Sequence, residues 1–524
     1  MKNNFIKQTA IYFAAIAVTV GAVSCSKLDE KVFGSKSVAA ASAGASTADL
    51  ASVYGQLNGL ASQGNWFAFQ EHSTDELLGP TRGTDWDDFG TWRKIHLHAV
   101  DGAHNQLYDT WNQLNGALFQ ATLVAEKSSG AAQAEGKFLR AFFATQVMDL
   151  YGQVPYRSAT AGADDIPEVK ARAAAFDWII ADLDAAIAAL PSFGTGSDNH
   201  KANKQAAQFL KARLLLNKAV YKANPSTPTT FSFDAADMNA VVTLVDAITA
   251  SGKFKLSTSY WDNFKWDNNT ASTELILTRA TNGAGKANQT GGTADVTWAT
   301  GMGTHYNQAF SGWNGFTTTS DFYNSFESAD KRRYDSLGKM TEVSGFNPGF
   351  LVGQQYKYEG GKKVMVKDRS GSPLVFTPDV SLFFSTEAKG IRTMKYPLRG
   401  DQMGFNDENE FVLFRYSDAL LMKAEAILRG ASATGGETAA SIVNAIRKRA
   451  GASTLATVTL TDILAERGRE LYLEAVRRPD LIRFGKFNDP VVERSAKSDA
   501  FRVVYPIPNQ AVSSNPNLKQ NVGY

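Results

Sequence analysis

The chain has 524 residues, 44% of them hydrophobic, with 54 basic and 52 acidic side chains and a single cysteine. That length can bury a large core, and so nearly neutral a charge balance supplies no counterion-release drive toward polyanions, which argues against nucleic acid as a partner. One cysteine excludes an internal disulfide framework and any cysteine-built zinc site.

Lys2 and Lys7 precede an uncharged apolar run of 14 residues, Ala10 to Val23, which stops at Ser24 and Cys25. This is the pattern of an export signal. It is too short for a membrane-spanning helix, which needs about 20 residues. Small residues Ala22 and Ser24 just before the cysteine resemble the bacterial lipobox, so Cys25 is the expected lipidation site and residues 1–24 the expected signal peptide. Without those residues the charges balance at 52 of each sign. Residues 25–46, small and polar without a sustained period, read as a flexible tether to a body spanning 47–524.

The body opens in helical pattern. Residues 104–128 place Leu107, Trp111, Leu114, Leu118 and Ala121 at three- and four-residue steps, and 131–150 repeat that period with denser apolar content, which predicts a packed antiparallel pair. Further helices are expected at 171–190, stopped by Pro191, at 203–222 and at 234–250. The spacing of these pairs is close to that of tetratricopeptide repeats, and Lys137 to Tyr151 carries the alanine and phenylalanine knobs that such repeats use.

Between 251 and 410 the helical period gives way to glycine, asparagine, threonine and aromatic residues, with a hairpin predicted in KKVMVKDRSGSPLVF, residues 362–376. Helices resume at 411–429, 437–450 and 461–478. The expected fold is therefore mainly α, a helix-pair scaffold over 47–250 and 411–524 carrying a long loop-rich insertion with a few short β-hairpins. Binding contacts are expected in the insertion, because loops carry function while a scaffold positions them.

Three closing segments, FRYSDALLMKAEA with SIVNAIRKRAG, ERGRELYLEAVRRPDLIRFGKF and YPIPNQAVSSNPNLKQNVGY, resemble the SusD/RagB family. STDELLGPTRGTDWDDFGTWRKIHLH in the N-terminal half is similar to another segment of that family, and Asp29 and Glu30 suit its surface-export signal. The resemblance implies an outer-membrane lipoprotein facing the cell exterior. It further implies a SusC-like TonB-dependent transporter as partner, an oligosaccharide or other nutrient as ligand, and no cofactor. Within the motif, Glu466, Glu470 and Glu474 recur at four-residue steps beside Arg467, Arg477 and Arg478 with Leu471 and Val476 inward, the pattern of ion pairs bracing a solvated helix face.

Sugar binding needs a flat aromatic surface for the C–H face of a pyranose and polar groups for its hydroxyls. Two segments supply both. From Asn65 to Trp92 the candidates are Trp86, Arg82, Asp85 and Asp87; from Trp298 to Phe326 they are Trp298, Tyr306 and Asn307. Packing between loops and scaffold is the rival role for each tryptophan, and Trp66, Trp92 and Trp313 are expected to serve it. His96 and His98 would share one face of a strand, but no third ligand at motif spacing follows them. DWDDFG lacks oxygen ligands at the fifth and twelfth positions of a calcium loop, where Phe89 and His96 stand. No G-x-S-x-G nucleophile motif occurs. The reading is a binding protein rather than an enzyme. Two alternatives stay open: a glycoside hydrolase, which needs only two suitably spaced carboxylates, and a peptide-binding helical scaffold.

Overall fold

The computed structural model describes residues 49–194, 196–226, 231–279, 281, 297–337, 344–345, 347–399 and 409–524. The expected signal peptide, Cys25 and the expected tether lie outside them. Helix α1 (Asn105–Lys127) forms over the predicted apolar stripe, and Leu107, Trp111, Leu114, Leu118 and Ala121 are all in the core. Ser128 and Ser129 turn the chain back into α2 (Gly130–Tyr151), which packs along α1. The two backbones come close at Gly136, where a β-carbon would stand 2.7 Å from the Ala125 nitrogen, so only glycine fits without a shift. Helix α2 ends at Gly152, whose left-handed φ of 70° lets its N–H donate to the Met148 carbonyl at 3.0 Å.

Helices α3 (Arg172–Ala189), α4 (Lys204–Leu216) and α5 (Ala235–Ala250) follow, each packed on the one before. After the insertion, α6 (Tyr416–Leu428) packs on α5 and in turn carries α7 (Ala439–Arg449) and α8 (Leu460–Leu471). The fold is mainly α, a tetratricopeptide-like helix-pair scaffold with an irregular insertion.

Three boundaries differ from the sequence expectation. The helix expected over 203–222 breaks at Asn217, whose side-chain Nδ2 donates to the Arg213 carbonyl and whose Oδ1 accepts from Arg483 at 2.9 Å. Residues 411–415 are a strand, Phe411–Arg415, antiparallel to Leu275–Arg279, because their aromatic and β-branched side chains pack against the scaffold in extended form. The helix expected over 461–478 stops at Leu471, and Leu473 and Ala475 adopt left-handed φ of 56° and 58°. Two buried carboxylates hold that link: Glu76 accepts the Leu473 N–H at 3.2 Å and Glu71 the Ala475 N–H at 2.6 Å.

The other described strands of the insertion are short antiparallel pairs: Gly349–Leu351 with Arg392–Met394, Gly353–Gln354 with Val375–Phe376, and Tyr356–Glu359 with Lys362–Met365. The predicted hairpin at 362–376 appears as a turn closed by the Lys367–Pro373 bridge and by the Leu374 N–H donating to the Val366 carbonyl at 2.8 Å. Lys362–Met365 itself pairs backward, around the left-handed Gly360 and Gly361.

The charges of the C-terminal motif are not on a solvated face, which corrects the sequence reading. Glu466 and Glu470 are fully buried around Arg332, which donates to them at 2.6 Å and 3.0 Å and to Asp330 at 2.7 Å. Arg415 donates to Glu470 at 2.7 Å and to Glu474 at 2.7 and 2.8 Å, and Arg447 reaches Glu466 at 2.8 Å. Burial alone would raise the Glu466 carboxyl, but Arg332 and Arg469 outweigh it and hold it at about 2. Only the fold brings arginines from the insertion, from the strand before α6 and from α7 to one place.

Candidate functional site

Three loop segments, 81–93, 304–316 and 367–390, meet beside the scaffold. The first is closed by reciprocal backbone bonds between Arg82 and Asp85 at 2.8 and 3.0 Å. Trp86, Asp88 and Phe89 then take left-handed φ of 64°, 39° and 53°, a conformation that costs non-glycine residues and is held by the surrounding contacts. Trp86 packs on Phe316 and Trp92 at 5.3 and 6.1 Å between ring centres, and its indole N–H donates to the Trp313 carbonyl at 3.0 Å. Its other edge rests on Gly315, where a β-carbon would stand 2.7 Å from Trp86 Cζ2.

Arg82 is buried, a correction to its expected role against ligand. Its Nη1 donates to the carbonyls of Thr386 and Lys389 at 2.6 and 2.8 Å, and its Nε to Gly315 at 3.2 Å, so it staples all three segments. Burial pulls its pKa down to about 9, against the raising influence of Tyr306 and Glu387. Arg392, also buried, grips the same loop through the carbonyls of Glu387, Lys389 and Gly390. Loop 386–390 is thus fixed by two guanidinium groups beneath it.

Above them lies a charged and aromatic surface. The Tyr306 hydroxyl donates to Asp85 Oδ2 at 3.1 Å, and the Arg369 guanidinium carbon sits 4.6 Å from the Tyr306 ring centre. Arg369 Nη2 donates to Asp85 Oδ2 at 2.9 Å, while its Nε and its backbone N–H both meet Glu387. His305 Nε2 lies 2.9 Å from the same Glu387 carboxylate. Burial would raise Glu387, but the Arg369 contacts and His305 hold it below the ordinary carboxylate range. Asn307 is tied by its amide to the Lys367 carbonyl at 2.9 Å.

Asp87 pairs with Arg93 at 2.5 Å on the wall of an adjacent cleft of about 510 Å³ that is also lined by Thr81, Phe383 and Phe384. Phe384 is 85% exposed, and Phe89 is 97% exposed on the neighbouring turn. Trp313, expected to pack, is instead 36% exposed on this surface. Large aromatics held in water by a built loop are a cost that a binding surface explains. Trp66 and Trp92 are buried.

Trp298 does not join this surface, a second correction. It lies in the helix Thr297–Gly303, edge-on to Phe67 at 4.9 Å, and lines a small internal cavity with Leu77, Met302 and Tyr396. The helix turns its ring into the core, which the run of small residues around it did not reveal. His96 is the last residue of a helix, Thr91–His96, and His98 lies in the turn after it, so the two do not share a strand face. Their ring nitrogens meet the carbonyls of His72 and Val492 and, for His98, Ser498 Oγ and the Ser73 carbonyl. Sequence reasoning missed Arg369, Glu387, Arg93 and the Phe383–Phe384 pair, because no local motif marks them and the contacts that bring them to the first loop, Arg369 with Asp85 and Arg93 with Phe383, join residues hundreds of positions apart.

The SusD family model matches residues 381–524. The starch-binding protein SusD of Bacteroides thetaiotaomicron is 26% identical over 455 residues, 79% of this chain and 76% of that protein. Residues 381–524 thus carry the SusD family signature, and the likeness to SusD itself runs over most of the chain. A SusD-like protein of Bacteroides ovatus is 22% identical over 82% of this chain and 79% of its own length. Among solved structures, a SusD superfamily protein of Parabacteroides distasonis superposes with a TM-score of 0.69 at 17% identity, over 94% of this chain and all of that one. Surface glycan-binding protein A of Bacteroides thetaiotaomicron, solved with laminarihexaose, superposes at 0.63 and 18% identity, over 92% and 99%. These likenesses carry the SusD fold across nearly the whole chain.

Proposed function

We propose that this chain captures oligosaccharide at the cell surface by stacking and hydrogen bonding, without a covalent step, on the loop surface around Trp86, Tyr306 and Trp313. The observation that carries the reading is that surface: aromatic rings of which Trp313 stays 36% exposed, beside the carboxylates and guanidinium groups of Asp85, Asp87, Arg93 and Arg369. The starch-binding relative supports the ligand class. Delivery to a SusC-like TonB-dependent transporter, and tethering at the outer membrane through lipid on Cys25 by residues 25–46, complete the proposal; the lipobox-like sequence and the family signature support them. No helix among the described residues is long and apolar enough to cross a membrane.

A hydrolase is the weaker reading. Asp85 and Glu387, the carboxylates facing each other on the surface, both bind Arg369, and a Glu387 held below the ordinary range is poorly suited to donate a proton. The test is a screen of the mature, unlipidated protein against poly- and oligosaccharides, reading tryptophan fluorescence and reaction products together. Binding without cleavage is expected; turnover abolished by Asp85→Asn would replace the proposal with an enzyme.

A further inference from the structure

Resting on the carbohydrate reading, we infer that Asp85 and Arg369 form one edge that reads a pair of neighbouring free hydroxyls on an uncharged sugar unit, which makes Arg369 a specificity-determining residue. The inner atoms of the pair are committed. Asp85 Oδ2 accepts from both Tyr306 and Arg369 Nη2, and Arg369 binds Glu387 through its Nε and its backbone N–H. The outer atoms are not: Asp85 Oδ1 and Arg369 Nη1 have no hydrogen-bond partner among the described residues, and the two side chains are 33% and 53% exposed. An acceptor and a donor therefore stand side by side at the rim of the aromatic surface.

A hydroxyl both donates and accepts, so two neighbouring hydroxyls satisfy this edge together, one donating to Oδ1 and the next accepting from Nη1. A ligand carboxylate or sulfate would instead meet a guanidinium already neutralised by two carboxylates and would lie close to both of them. The edge is also preorganised. Tyr306 stacks under Arg369, His305 holds Glu387, and the buried Arg82 and Arg392 fix the loop that carries Glu387.

The consequence concerns linkage. A 1,4-linked hexopyranose chain keeps O2 and O3 free on every internal unit, whereas a 1,3-linked chain offers no adjacent free pair there. Calorimetric titration of the mature protein with maltohexaose, cellohexaose, laminarihexaose and an oligogalacturonate tests this. One of the two neutral 1,4-linked chains is expected to bind about tenfold more tightly than laminarihexaose or the oligogalacturonate, the scale of one charge-assisted bond. Arg369→Met and Asp85→Asn should each erase that preference while the melting temperature holds. If Arg369→Met melts early, Arg369→Lys, which keeps the charge without the fork, takes its place. Equal or tighter binding of laminarihexaose or the oligogalacturonate, or variants that keep the preference, would overturn the inference and leave carbohydrate capture standing. Failure of these and of every polysaccharide in the wider screen would overturn both.

Discussion

Glu71 Oε1 accepts the Ala475 N–H at 2.6 Å deep in the core, beside Glu76, which accepts the Leu473 N–H. Burial pushes the Glu71 carboxyl up despite the Ala475 bond, and Glu76 is raised by burial and by Glu71. The folded state therefore holds a proton that the unfolded chain has released. That stabilisation is complete below the ordinary carboxylate range and is lost as pH rises toward neutrality. Glu71→Gln keeps the acceptor and has no proton to lose. Between about pH 5 and about pH 8 the wild type should lose melting temperature relative to this variant, whereas parallel melting curves would show that the pair does not titrate.

Arg332 carries the opposite sign. Its partner Glu466 is held at about 2, below its unfolded value, so this contribution is present above the ordinary carboxylate range and is lost as pH falls through it. Arg332→Met leaves Glu466, Glu470 and Asp330 short of a buried partner and should cost about 3–5 kcal/mol in urea unfolding at neutral pH. A loss near zero would mean that Arg415 and Arg447, with Arg449, which also binds Glu470, suffice.

Gly136 tests the helix pair. A methyl group there meets the Ala125 nitrogen and Val124 Cγ1, at 2.7 and 2.8 Å, so Gly136→Ala should destabilise by about 1–3 kcal/mol. Ligand affinity should be unchanged, because the scaffold contact lies apart from the loops.

Trp86 and Trp313 should separate in their effects. Trp313→Ala is expected to weaken oligosaccharide binding by about tenfold with little change in melting temperature. Trp86 also packs on Phe316 and Trp92, so Trp86→Ala should lose binding and about 2 kcal/mol of stability together. Trp298→Phe, in the core, should leave affinity alone. A binding loss confined to that last variant would return Trp298 to the site.

Cys25→Ala should release the protein from membranes and leave sugar binding intact, as fractionation and titration would show. Retention on membranes would point to a different anchor or a tightly held partner.

By itself the sequence determined the helix-pair scaffold, because α1 and α2 bury stripes written at three- and four-residue steps, and its closing motif supplied the family signature. It also pointed to the loop around Trp86 and to Tyr306, where aromatic and acidic residues cluster along the chain. Tertiary structure alone decided which of those side chains face water. Arg82 and Trp298 went inward, one to satisfy loop carbonyls and the other to fill a core face, while Trp313 came out. Arg369 and Glu387 joined Asp85 across hundreds of residues, and the glutamates of α8 found arginines from three other segments. Periodicity reports burial along one element. Charge pairing and ring exposure depend on what the fold lays across it, and no local pattern encodes that.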